Sequence, residues 1–124
     1  MKELWTKVDG WFEDLHAPDP AMAAALAENA RHGLPTIDVA PNQARFLHIL
    51  ARAVAANAIL EIGTLGGFST IALARALPPG GRLVTLEIDP SYADVARTNL
   101  ARAGVLERVD LRVAPALTTL PTLD

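Results

Sequence analysis

The sequence predicts an α/β fold in which a partial parallel sheet, strand order 3-2-1, is preceded by N-terminal helices. Three observations predict it. From residue 58 onward, short apolar runs alternate with helical patterns in the order β-α-β-α-β. The first apolar run passes through a glycine turn straight into a helix, in AILEIGTLGGFST at 58–70. Asp19-Pro20 and Asp89-Pro90 each set an N-cap before a proline at the first helical position. Right-handed crossovers between consecutive strands then lay the three strands side by side.

Residues 2–15 repeat apolar side chains at spacings of three and four: Leu4, Trp5, Val8, Trp11, Phe12 and Leu15. The expectation is a helix packed on the body through that stripe; a dimer contact or a lid over a site is the alternative. His16-Ala17-Pro18 breaks this helix. A second helix, AMAAALAENARH, follows Asp19-Pro20 and stops at Gly33. Leu34 to Pro41 is an irregular linker with two prolines, apolar enough to lie against the body. The third helix spans Asn42 to Ala55, with Phe46, Leu47, Leu50, Ala53 and Val54 as its expected buried face.

The first strand is 58–62. The next helix is 68–77, ended by Pro78-Pro79-Gly80-Gly81. RLVTLE at 82–87 reads as a strand buried on both faces. A helix from Asp89-Pro90 runs to about Ala103, before Gly104. VDLRV at 109–113 is the third strand, and Ala116 to Leu120 begins a last helical segment limited by Pro121. Residues 1–57 thus form helices and a linker in front of a β-α-β-α-β unit at 58–124, within one domain. The first strand is an edge in this order, although it is apolar and carries no Lys, Pro or bulge to protect it. Such a half sheet is expected to pair with another chain or to belong to a longer protein.

The 124 residues suffice for one domain, and 51% hydrophobic with 20% charged residues is a globular composition. A net charge of −3 with no basic cluster gives no support to nucleic-acid binding. The sequence holds no cysteine, which excludes disulfides and thiolate chemistry and fits a reducing cytoplasm. No apolar run approaches the ~20 residues of a membrane span, so no membrane attachment is expected. His16, His32 and His48 each lack a partner at metal-ligand spacing and receive no chemical role.

The chemistry concentrates at the carboxyl ends of the strands, where open α/β sheets bind ligands. The Gly63–Gly67 turn is G-x-x-G-G, which is neither the dinucleotide G-x-G-x-x-G nor a phosphate loop with Gly-Lys-Ser/Thr. A nicotinamide dehydrogenase half is disfavoured on that spacing. Glu87 ends the second strand, where a carboxylate can accept both hydroxyls of an adenosine ribose. Glu61, just before the turn, would repel phosphate and attract an amino group. An adenosine ligand with a methionine-like part, S-adenosylmethionine, meets both demands.

The stretch AILEIGTLGGFSTIALARALPPGGRLVTLEIDP resembles the S-adenosylmethionine-dependent O-methyltransferases of the catechol and caffeoyl-CoA type, particularly their small bacterial members. The likeness extends through ARTNLARAGVLERVDLRVAPALTTLP and back to LPTIDVAPNQARFLHILARAVAA. It implies a Rossmann-like methyltransferase fold and assigns roles. Glu61, Gly63 and Thr64 would face the methionine part of the cofactor, and Ser69 would bond its carboxylate. Glu87 would hold the ribose, Ala116 would lie near the adenine, and Val39 would flank the cofactor from the linker. Phe68 and Ala114 stand where the family usually has Tyr and Gly.

The resemblance also implies a divalent metal, Mg, and a small hydroxyl acceptor, the metal held by a later Asp and an Asp-Asn pair. Those ligands are not identified here, so no catalytic or metal residue is assigned. The chain is expected to be the cofactor-binding half of such an enzyme, inactive alone, and to form a homodimer. A non-catalytic cofactor-binding or dimerisation module is the alternative.

Overall fold

A computed structural model describes residues 1–123. The elements run α1 (Lys2–Leu15), α2 (Pro20–Arg31), α3 (Pro41–Ala53), β1 (Ala58–Ile62), α4 (Phe68–Ala76), β2 (Arg82–Glu87), α5 (Pro90–Arg102), β3 (Val109–Val113) and α6 (Ala116–Thr119). Short 3₁₀ turns at Leu106–Arg108 and Leu120–Thr122 lead into β3 and out of α6. The three strands are parallel, with β2 between β1 and β3. Ala58 pairs with Arg82 and Ile62 with Leu86, while Leu83 pairs with Val109 and Glu87 with Val113. The sheet is therefore the expected 3-2-1, and β1 is an edge with Leu60 and Ile62 exposed.

Both Asp-Pro signals form working caps. Asp19 accepts from the N–H groups of Ala21 and Met22, and Asp89 from those of Ser91 and Tyr92. The core gathers Ala25 of α2, Ala44 of α3, Phe68, Ile71 and Leu77, Leu83 of β2, and Leu100. The helices in front of residue 58 thus share one core with the βαβ unit. Among the described residues, no helix is long and apolar enough to cross a membrane.

Two expectations are corrected. α1 does not bury its apolar stripe: Leu4, Trp5, Val8, Trp11, Phe12 and Leu15 are all exposed. It meets the body instead along its opposite side, where Asp9 and Gly10 are half-buried and Asp9 accepts a hydrogen bond from Asn42 Nδ2 at 2.7 Å. α3 is likewise turned from its expected orientation. It buries Ala44 and Ala51, Leu47 is half-buried, and Phe46, Leu50, Ala53 and Val54 stay exposed. The small alanines let α3 approach α4 closely, where His48 Nδ1 lies 3.0 Å from the Ala72 carbonyl oxygen.

Candidate functional site

The site is built around the turn from β1 into α4. Gly63 and Gly67 have φ of 90° and 86°, in the left-handed region that glycine tolerates. Leu65 between them sits there as well, at φ 52°. A side chain in this region is strained, and the strain is held in place by its surroundings. The holding group is Glu87: its Oε2 accepts the Leu65 N–H at 2.7 Å, and its Oε1 accepts the Asp89 N–H at 3.0 Å. Glu87 is buried. Each oxygen keeps a lone pair for a further donor.

Glu61 is held differently. Its carboxylate accepts from Ser69 Oγ at 2.8 Å, Thr70 Oγ1 at 2.5 Å and Thr85 Oγ1 at 2.7 Å. Since the single proton of the Thr85 hydroxyl goes to Glu61, Thr64 must donate to Thr85, at 2.6 Å. One chain of hydrogen bonds thus joins the glycine turn, the start of α4 and the middle of β2. Networks of this kind fix rotamers firmly when every member is paired.

A cavity of about 310 Å³ opens beside the turn. Of the residues singled out from the sequence, Val39, Gly63, Thr64, Ser69 and Glu87 line it together. Ile37, Asp38, Phe68 and Tyr92 complete much of the wall. Glu61 and Ala116 do not line it. Glu61 supports the wall from behind through Ser69, and Ala116 opens α6 beyond β3. The Ser69 hydroxyl is committed to Glu61, so the donors left at the helix start are backbone N–H groups. α4 carries no side-chain cap, and the first N–H groups of a helix have no acceptor within it. With the positive dipole end they favour a carboxylate. A larger cavity of about 380 Å³ lies on the far side of Phe68, among the ends of α1 and α2 and the faces of α3 and α4.

Two asparagines were not singled out from the sequence. Asn29 of α2 and Asn99 of α5 are both buried. Asn99 Nδ2 donates to the Gly66 carbonyl at 2.8 Å and to Asn29 Oδ1 at 3.1 Å. Asn29 Nδ2 in turn donates to Asp38 Oδ1 at 2.9 Å. Gly66 is packed so closely here that a Cβ would stand 1.7 Å from Asn29 Oδ1. The only sequence signal was an Asn within the apolar repeat of each helix. Among the described residues, no group of three or more His, Asp or Glu is arranged to hold a metal ion. The residues present do not fit the metal that the resemblance implies.

A glycine turn at the carboxyl edge of a parallel sheet, beside a buried carboxylate on the next strand, defines a pocket of the nucleoside-binding class. A model of the O-methyltransferase family matches residues 14–124, and the chain belongs to that family. It is 56% identical over 117 residues to a catechol O-methyltransferase of Mycobacterium tuberculosis, covering 94% of this chain and 53% of the relative. It is 47% identical over 122 residues to a catechol O-methyltransferase of Niastella koreensis, covering 98% and 55%. The fold also matches an O-methyltransferase from Bacillus cereus solved in complex with SAH, with a TM-score of 0.93 at 47% identity over 98% of this chain and 56% of that one. TomG from Streptomyces achromogenes, an O-methyltransferase solved in complex with SAM, matches with a TM-score of 0.91 at 48% identity over 98% and 55%. The chain spans about half the length of the curated relatives it matches.

Proposed function

We propose that this chain binds S-adenosylmethionine for an O-methyltransferase that methylates a hydroxyl of a small, catechol-like acceptor. The observation that carries the reading is Glu87, a buried carboxylate tied to the glycine turn with lone pairs to spare. It suits the paired hydroxyls of a ribose. The N–H groups at the start of α4 suit the carboxylate of the methionine part. Val39 and Ile37 offer apolar wall, Gly63 lets the ligand approach the backbone, and Thr64 and Ser69 flank it. Ala116 is proposed at the adenine end, and Glu61 acts through Ser69 by fixing the helix start.

When bound, the cofactor supplies an electrophilic methyl group on a sulfonium. The names of the Mycobacterium and Niastella relatives support the acceptor class. The SAH and SAM complexes of the neighbouring structures support the cofactor. The described residues offer no ligand set for a metal. The chain then forms one domain, with residues 1–57 in front of the cofactor unit at 58–124, and works as a homodimer in the cytoplasm. The exposed stripe of α1 and the open edge of β1 support pairing.

Isothermal titration with S-adenosylhomocysteine tests the reading. Saturable binding at one site per chain is expected. No heat of binding, with the fold intact by circular dichroism, overturns it.

A further inference from the structure

Asp38 is a half-buried carboxylate for which the fold provides no opposite charge. It lies in the linker between α2 and α3 and lines the cavity beside the glycine turn. Its one side-chain partner is the neutral amide of Asn29. Among the described residues it forms no ion pair. Burial pushes its pKa up, and the bonds from Asn29 and its own backbone N–H offset this only in part. A carboxylate taken out of water without a cation is costly to a fold.

The surroundings nevertheless hold it in place. Asn29 cannot turn its amide over, because its Oδ1 is engaged by Asn99 and its Nδ2 by Asp38. Asn99 is anchored in turn on the Gly66 carbonyl. Three elements thus converge to aim one donor at one oxygen of Asp38, which leaves the other oxygen for a ligand. Glu61 offers no such oxygen to the cavity: it does not line the wall, Thr70 and Thr85 both occupy its Oε1, and its Oε2 is turned to the Ser69 hydroxyl.

We propose that Asp38, rather than Glu61, meets the cationic amino group of the cofactor's methionine part. The assignment rests on reading the cavity as an S-adenosylmethionine site. The ligand's ammonium then supplies the charge that the fold omits, while Glu87 holds the opposite end of the same molecule. Hydrogen bonds to a charged partner are strong enough for such a contact to be read in affinity.

The test compares two ligands on the wild-type chain and on Asp38→Asn, which keeps an oxygen for the Asn29 donor and removes only the charge. S-adenosylhomocysteine carries the amino group; 5′-methylthioadenosine has the same nucleoside and thioether without it. The substitution is expected to weaken S-adenosylhomocysteine by about tenfold or more and methylthioadenosine by less than about twofold. Unchanged affinity for S-adenosylhomocysteine, or equal weakening of both ligands, overturns the role of Asp38 while leaving the cofactor reading intact. Failure of the wild-type chain to bind either ligand overturns both.

Discussion

The backbone N–H of Leu65 points at the Glu87 carboxylate from a left-handed conformation, φ 52°, at 2.7 Å. A strained residue of the turn and the acid of the neighbouring strand therefore hold each other in place. Glu87→Ala removes the ribose acceptor and the anchor of the turn together. The affinity for S-adenosylhomocysteine should fall by about 1–3 kcal/mol, roughly fivefold to 150-fold. Calorimetric titration of the variant checks this, and an affinity equal to the wild type removes Glu87 from the site.

Thr85 is the middle link between Thr64 and Glu61. Thr85→Val keeps the shape and deletes the hydroxyl, leaving the buried Thr64 donor without its acceptor and Glu61 Oε1 with Thr70 as its remaining donor. Stability should drop by about 1–3 kcal/mol in urea unfolding. Thr85→Ser, which retains the hydroxyl, should lose clearly less. A loss for Thr85→Ser as large as that for Thr85→Val would mean that the hydroxyl contributes no more than the methyl group.

Gly66 is barred from a side chain by Asn29, whose amide is itself locked by Asp38 and Asn99. Gly66→Ala must push that amide aside and break its hydrogen bonds, at a cost of about 2–4 kcal/mol. Asn29→Ala makes room for the new methyl. The double variant should therefore be more stable than the sum of the two single losses implies. Strict additivity in a double-mutant cycle would show that the two residues do not meet as described.

Asp38 also has a signature in the free protein. Its carboxyl titrates above the ordinary aspartate range because burial disfavours the charge. A raised folded-state pKa means that its stabilising contribution is present in acid and lost as pH rises through that pKa. Ionised Asp38 thus weakens the fold at neutral pH. Asp38→Asn should raise the melting temperature at pH 7, and the gain should vanish below the ordinary aspartate range. A variant less stable than wild type at pH 7 would show that the charge is compensated within the fold.

The strands were legible because each is a short run rich in Val, Leu or Ile that a turn signal closes, Gly63 after β1, Asp89-Pro90 after β2 and Ala114-Pro115 after β3, and their bounds agree with those runs. Glu87 was legible because its place follows from the sheet: the end of the strand next to the glycine turn. The face of α3 was not. Apolar periodicity favoured Phe46 and Leu50, whereas close packing on α4 selected Ala44 and Ala51. α1 misled for a related reason: its stripe is a true helical signal, but periodicity does not say what lies opposite. The Asn29–Asn99 bond joins side chains 70 residues apart, a separation at which no local pattern carries information. The three hydroxyls around Glu61 come from α4 and β2, and it is the packing of α4 against the sheet that turns them toward it.

In this 124-residue chain the open edge of β1 has a consequence for handling it. Five residues of backbone, flanked by exposed Leu60 and Ile62, form a template that any extended chain in solution can extend. Association there grows with concentration, so colloidal shelf life in concentrated stocks should be set by this strand before global unfolding matters. A charged gatekeeper such as Ile62→Lys, on the exposed side of the strand, is the substitution that should lengthen it.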